Sequence, residues 1–85
     1  MLDELKTDSK VVGIKQLRKA LIAGKAQRVF IALDADPALT EPLVEQCKLS
    51  QIEVITVPTM KQLGDACEIS VAAAAAAIIY TNHKF

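Results

Sequence analysis

Two short apolar runs constrain the fold of this chain most strongly. The run "RVFIAL" covers residues 28–33 and the run "IEVITV" covers residues 52–57. The first run is continuous, which is typical of a strand that is covered on both faces. A sheet that is covered on both faces needs a layer of helices on each side. The two runs therefore predict a layered α/β fold.

The segments around these runs have the spacing and end signals of helices. Ile14, Leu17 and Leu21 recur on one helical face, so a helix is expected over residues 15–23, with Gly24 as its C-terminal cap. The stretch "KVVGI" predicts a short strand before this helix, and "LDELK" near the N-terminus predicts a short helix.

A second helix is expected to begin between Pro37 and Thr40 and to end near Lys48, with an inward face formed by Leu39, Leu43 and Val44. If Thr40 is its N-cap, Pro42 falls in the first turn, where a missing N–H is tolerated. Thr59 can cap a third helix in "MKQLGDAC".

The segment "VAAAAAAII", residues 71–79, allows two interpretations. Alanine has the highest helix propensity of any residue, whereas valine and isoleucine favour strands. Alternation with the preceding elements favours a strand, whose small side chains let helices pack closely against the sheet. The whole chain, residues 1–85, is then expected to form a single α/β domain, a three-layer α/β/α sandwich around a small mixed sheet.

The basic residues are concentrated at one end of the chain. Residues 1–28 contain seven Lys or Arg against three Asp or Glu, although the net charge of the chain is zero. Lys15 and Lys19 stand one helical turn apart, an arrangement that costs an isolated helix roughly 0.2–0.5 kcal/mol. A local basic surface on a neutral protein indicates a bounded anionic site rather than general polyanion binding.

Several classes of site are not expected. Cys47 and Cys67 lie twenty positions apart without a C-x-x-C motif, and the one histidine is His83, so no zinc site is expected. The charged start and the lack of an apolar run near 18 residues predict neither a signal peptide nor a membrane span. These features predict a cytoplasmic protein with reduced, buried thiols and no metal or cofactor.

Three fragments, "GIKQLRKAL…G", "VFIALDADP" and "VPTMKQLGDACEISVAAAAAAI", resemble the L-seven-Ae-like ribosomal protein family, and its short bacterial members most closely. The resemblance extends from about Val11 to Ile79, in the family order and spacing. Family members bind kink-turn RNA, a duplex bent sharply at a short bulge that is followed by sheared G·A pairs. The resemblance implies a four-stranded sheet in an α/β/α sandwich, with the alanine-rich segment as a strand.

The family resemblance also implies an RNA site at the start of the first core helix. Gly13 and Lys19 match the glycine and lysine of the family motif Gly-x-Asn-Glu-x-x-Lys. Lys15 and Gln16 stand where Asn and Glu are common in the family. The short bacterial relatives also tend to have Lys-Gln at these positions. Lys15 can donate to guanine N7 and O6, and Gln16 suits a purine edge. Lys19 is expected to contact backbone phosphate, and Arg18 can add a further contact.

A second implied element is the loop over residues 68–71, where the family typically has Gly-Ile-Glu-Val. Ile69 and Val71 match this pattern, and either could pack on bulged nucleotides or lie in the core. Glu68 replaces the glycine and stiffens the backbone, and Ser70 replaces the glutamate. The contacts of this loop are therefore less well defined by the resemblance than those of the helix.

Two further residues are candidates for the RNA site. Asp34 matches a family aspartate beside the RNA surface, where it could orient a lysine; stabilising its own turn is the alternative. Lys61 either contacts phosphate or is simply solvated.

Other functions remain possible from the residues alone. A strand that ends in Asp34-x-Asp36 resembles the haloacid-dehalogenase phosphatases, but the paired downstream aspartates that would hold Mg²⁺ are missing. A protein-interaction module of the same fold without RNA binding is the other alternative. Together with the family resemblance, the sequence predicts a monomeric RNA-binding protein that recognises a ribosomal RNA or a messenger RNA leader. It predicts neither an enzyme nor a small-molecule substrate.

Overall fold

The computed structural model describes Leu5 and residues 9–80 of the 85-residue chain. Strands and helices alternate along it, in the order β1 (Lys10–Val12), α1 (Ile14–Ile22), β2 (Ala26–Ala32), α2 (Pro37–Leu49), β3 (Glu53–Val57), α3 (Met60–Ala66) and β4 (Ala75–Ile79). The helix predicted in "LDELK" lies outside the described residues apart from Leu5, as does His83.

The four strands form one mixed sheet in the order β1-β4-β2-β3. Strands β2 and β3 are parallel, and β4 is antiparallel to both of its neighbours, β1 and β2. Helices α1 and α2 pack on one face of the sheet, and α3 and Leu5 pack on the other. The predicted three-layer α/β/α sandwich with a four-stranded mixed sheet is confirmed.

Strand β2 explains why its sequence is apolar without a break. Val29 and Ile31 point into the core beneath α1 and α2, whereas Phe30 and Ala32 point into the core beneath α3. All four side chains are at most 4% exposed. The strand is therefore covered on both faces, as the continuous apolar run predicted.

The alanine-rich segment is a strand over Ala75–Ile79 only. The prediction of a strand over residues 71–79 is wrong for its first four residues, which form a loop. The loop is held against α3, because the Ala73 N–H donates to the Met60 carbonyl at 3.0 Å. Within β4, the backbone pairs with a strand on each side, and these long-range bonds outweigh the helix propensity of alanine.

Helix α2 begins at Pro37, within the expected interval, and its N-cap is not Thr40. Its N-cap is Asp36, whose Oδ1 accepts the Ala38 N–H at 3.0 Å, and Thr40 is a buried residue of the second turn. Pro42 consequently lies inside the helix and not in its first turn. Leu43 is buried as expected, but Leu39 is 47% exposed, which corrects its predicted inward position. Thr40, Leu43 and Cys47 form the buried side of α2, and Leu39 falls beside it.

All three helices end in the same hydrogen-bonded turn, in which two N–H groups fold back onto the last carbonyls. The residue after each C-cap is left-handed: Gly24 (φ 70°), Gln51 (φ 58°) and Glu68 (φ 62°). Gly24 directly follows the C-cap Ala23, so its predicted capping role is confirmed. The other two positions hold side chains in a conformation that favours glycine.

The predicted burial of the two cysteines is confirmed. Both thiols are free, and the residues are at most 1% exposed. Burial raises the pKa of Cys47 and of Cys67, and the charge of Lys10 opposes that rise at Cys67. In the described part of the chain, no helix is long and apolar enough to cross a membrane.

Replacing Gln51 with glycine is expected to stabilise the protein. The left-handed conformation costs an L residue roughly 1–2 kcal/mol, and glycine loses roughly 0.5–1 kcal/mol of chain entropy. Gln51→Gly should therefore raise the free energy of unfolding by about 0.5–1 kcal/mol, as measured by urea denaturation. The control Lys48→Gly, inside α2, should lower it by about 1 kcal/mol. Equal losses in both variants would contradict the left-handed assignment.

Candidate nucleic-acid interface

Half of the predicted site residues lie at one edge of the sheet. Strands β1, β2 and β3 run in the same direction and β4 runs opposite to them. The ends of the first three strands therefore lie beside the start of β4. We call this region the carboxyl edge; it comprises residues 13–16, 33–34 and 58–61. The return loop, residues 68–74, runs back along α3 to the same edge.

Main-chain hydrogen bonds join the segments of this region. The Gly13 N–H donates to the Ala75 carbonyl at 2.8 Å, which connects the tip of α1 to the start of β4. The Leu33 N–H donates to the Val57 carbonyl at 2.8 Å, which connects the turns that follow β2 and β3. Backbone contacts thus set the position of the α1 tip relative to β4, and of the turn after β2 relative to the end of β3.

The tip of α1 is suited to negatively charged groups. Gly13 is the N-cap with φ 102° and ψ 155°, a conformation that L side chains rarely adopt, and it provides no side-chain acceptor. The first turn contains no acidic residue. The N–H groups at this end of the helix therefore face no carboxylate from their own turn, and the helix dipole makes the tip electropositive.

The polar side chains of α1 are available to a ligand. Lys15, Gln16, Arg18 and Lys19 are all exposed, whereas Leu17 is fully buried on the opposite side of the helix. The three cations form no ion pair with other described residues. Lys19 lies four residues after Lys15, so it is about 6 Å further along the helix from the carboxyl edge.

Asp34 connects two segments of the carboxyl edge. Its Oδ1 accepts the N–H of Met60, the first residue of α3, at 2.7 Å. The described contact of Asp34 is therefore with the backbone amide of Met60, on another segment of the edge. It is neither with a lysine nor within the turn of Asp34 itself, which were the two expected roles. Thr59 completes this helix start, because its Oγ1 accepts the Gln62 N–H at 3.0 Å. The predicted cap at Thr59 is confirmed.

The carboxylates of the Asp-x-Asp motif are both hydrogen-bonded to backbone amides. Asp34 accepts from the start of α3, and Asp36 accepts from the start of α2. Within the residues that the structure describes, no group of three His, Cys, Asp or Glu side chains is arranged to hold a metal ion. The positions of both aspartates are thus explained by helix capping.

Lys61 is exposed in the first turn of α3 and forms an ion pair with Asp65 at 3.4 Å. Both side chains are more than half exposed, and such a pair on a helix surface contributes only about 0.3–0.5 kcal/mol. The lysine can therefore turn to a phosphate at small energetic cost.

The return loop begins with a tight turn at the end of α3. The Glu68 N–H donates to the Asp65 carbonyl at 3.0 Å, and the Ile69 N–H donates to the Gly64 carbonyl at 3.1 Å. Glu68 thus adopts a left-handed conformation, which favours glycine, the residue that it replaces in the family pattern. The departure from the family pattern leaves this turn intact.

The loop then packs directly on α3. A Cβ added to Gly64 would collide with the carbonyl oxygen of Val71 and would lie 3.1 Å from the Ala72 Cα. Ile69 is half-buried against the core beneath α3, and Val71 is 67% exposed. The two alternatives for the loop therefore apply to different residues. Ile69 packs against the core, and Val71 is accessible. Ser70 is exposed between them.

Sequence reasoning missed two residues of this region. Gly64 is needed for the close approach of the loop to α3. The backbone that it contacts belongs to a different segment, so the local sequence of the helix does not reveal the contact. Leu33 is 64% exposed at the end of β2 and adds a second accessible apolar side chain to the carboxyl edge. Its position at the end of the apolar run "RVFIAL", next to Asp34, is a signal that could have identified it.

Comparison with known proteins agrees with this architecture. Residues 2–84 match the Ribosomal protein L7Ae/L30e/S12e/Gadd45 family. The chain belongs to this family.

Relatives within the L7Ae/L30e/S12e/Gadd45 family are similar over most of their length. A protein of Geobacillus sp. (strain WCH70), named as an RNA-binding protein, is 47% identical over 75 residues, covering 88% of this chain and 92% of that protein. The RNA-binding protein YbxF of Geobacillus stearothermophilus is 42% identical over 69 residues, covering 81% and 84%. The solved structure of the Giardia lamblia 15.5kD RNA binding protein is similar with a TM-score of 0.86 and 28% identity, covering 95% of this chain and 72% of that one.

Gly64→Ala tests the contact between α3 and the return loop. Helix propensity alone would make alanine about 1 kcal/mol more stable than glycine. Because the added Cβ meets backbone, which cannot rotate away, we expect a net loss of about 1–3 kcal/mol in the free energy of unfolding. Urea denaturation measures this loss. A stabilised Gly64→Ala variant would contradict the observed packing of the loop.

Proposed function

We propose that this protein binds kink-turn RNA at the carboxyl edge and stabilises the bent form of the RNA. The observation that carries the proposal is the tip of α1, where Gly13 opens a helix without a carboxylate in its first turn. The basic side chains that follow it are exposed and form no ion pair with the residues that the structure describes. Family membership and the names of the relatives support RNA as the ligand.

The residues of α1 have distinct roles in this proposal. Amide N–H groups at the helix tip donate hydrogen bonds to a phosphate oxygen. Lys15 donates to guanine N7 and O6, and the amide of Gln16 donates to and accepts from a purine edge. Lys19 and Arg18 neutralise backbone phosphates. Gly13 lets the RNA approach the backbone closely, because it has no side chain.

The return loop and the turn after β2 supply the apolar part of the site. The exposed side chains of Val71 and Leu33 pack on the bulged nucleotides, which present unpaired base faces. Ser70 offers a hydroxyl to the same region, and Lys61 turns from Asp65 to a phosphate. Asp34 acts as a positioning residue, because it holds the start of α3 beside the end of β2.

The proposed activity is a shift of an RNA equilibrium and involves neither catalysis nor a cofactor. A protein that binds only the kinked conformer shifts the RNA equilibrium toward that conformer, to an extent set by its differential affinity for the two conformers. We propose that the protein acts as a cytoplasmic monomer, either associated with the ribosome or on a messenger RNA leader. Crosslinking in cells followed by sequencing of the attached RNA would distinguish these two targets.

Variants of α1 test the site. Gln16→Ala and Lys19→Ala should each weaken binding of a kink-turn RNA about tenfold, which corresponds to about 1.4 kcal/mol, in a gel-shift titration. Because both side chains are exposed, the free energy of unfolding should change by less than about 0.5 kcal/mol. Lys48→Ala, which removes an exposed lysine at the far end of α2, is the matched control and should bind normally.

Changing the RNA tests the ligand. The same RNA with its G·A pairs replaced should lose most of its affinity for the wild-type protein. Equal affinity for both RNAs would contradict kink-turn recognition. The absence of a shift with either RNA would instead favour the protein-interaction module, and full affinity in both α1 variants would exclude this site.

A further inference from the structure

A groove of about 270 Å³ lies beside α1. It extends from Gln16, at the carboxyl edge, toward the C-terminal end of the helix. Its polar side chains are Gln16, Lys19 and Lys25. Its floor is apolar and includes Val11 of β1, Ala20 of α1 and Ile79 of β4. The groove is thus continuous with the proposed RNA site, because Gln16 and Lys19 belong to both.

The charge of the groove has one sign. Two of its lining residues are lysines, and none is acidic. Both lysines are exposed, and neither forms an ion pair with any other residue that the structure describes. A narrow surface with two uncompensated cations attracts a chain of negative charges more than an apolar or an acidic partner.

The backbone of Lys25 is fixed at the far end of the groove. Its N–H donates to the Ala20 carbonyl at 2.9 Å, and its carbonyl accepts the Tyr80 N–H at 2.9 Å. The side chain is therefore attached to a rigid position at the junction of α1, β2 and β4. From Gln16 to Ala23 the groove follows α1 for about 10 Å.

We infer that this groove binds the phosphate backbone of the RNA stem that leaves the kink, with Lys25 as a phosphate contact. The inference rests on the proposed function. A length of about 10 Å accommodates a short run of phosphates along one strand. Small residues at positions 20 and 23 leave room for the strand beside the helix.

The test compares a minimal kink-turn RNA with RNAs in which either stem is lengthened by about 10 base pairs, one helical turn. The wild-type protein should bind one of the lengthened RNAs about fivefold more tightly than the minimal RNA, as measured by fluorescence anisotropy. Lys25→Gln should abolish this gain and leave the affinity for the minimal RNA unchanged. Its salt dependence on the lengthened RNA should fall by about one unit of slope.

A second variant and a control make the result specific. Ala23→Glu places a carboxylate in the groove and should also abolish the gain from the longer stem. Lys48→Gln removes an exposed lysine of α2 outside the groove and should retain the gain. Thermal unfolding of each variant checks that the fold is intact.

The outcomes separate this inference from the proposed function. If the wild-type protein does not bind the minimal RNA, the proposed function itself is wrong. If it binds the minimal RNA but neither stem extension adds affinity, or Lys25→Gln retains the full gain, only the groove inference is overturned. If Lys25→Gln lowers stability without changing RNA affinity, Lys25 instead stabilises the C-terminal end of α1 through the helix dipole. That result would also overturn the inference.

Discussion

The hydrogen bond from the Gly13 N–H to the Ala75 carbonyl, 2.8 Å long, connects the two parts on which the proposed function depends. Gly13 begins α1 and Ala75 begins β4, although more than sixty residues separate them in the chain. The bond continues the antiparallel pairing of β1 with β4, and β4 is also antiparallel to β2 on its other side. This placement brings the return loop to the basic helix tip.

The alanines of β4 make this arrangement possible. Ala75, Ala76 and Ala77 are fully buried, and they contribute to the cores on both faces of the sheet. Larger side chains in the middle of the sheet would push the helical layers outward, because protein interiors are already close-packed. A segment with the composition of a helix is therefore used as a central strand, because both of its neighbours are strands that need partners.

The elements predicted correctly from sequence are those with local signals. The apolar runs at residues 28–33 and 52–57 identified β2 and β3, and helical spacing identified the buried side of α1. The alanine-rich segment was ambiguous, because its state depends on strands distant in sequence. The start of α2 was left open between Pro37 and Thr40, because Asp36 and Thr40 are both acceptable cap residues and only the backbone geometry distinguishes them. In the candidate site, the residues of α1 share one helix, so their sequence spacing predicts that they are neighbours. The Asp34–Met60 bond and the Gly64–Val71 contact join distant segments, so no local pattern contained them.

The most direct test of the central claim is amide chemical-shift mapping of the isotope-labelled protein during titration with a kink-turn RNA. The account predicts that the largest changes occur at Gly13, Gln16 and Val71, on the two segments that the main-chain bonds bring together. It predicts little change at Ile22 and Leu49, which are exposed at the opposite ends of α1 and α2. Dominant changes at Ile22 and Leu49, with Gly13 unaffected, would contradict it.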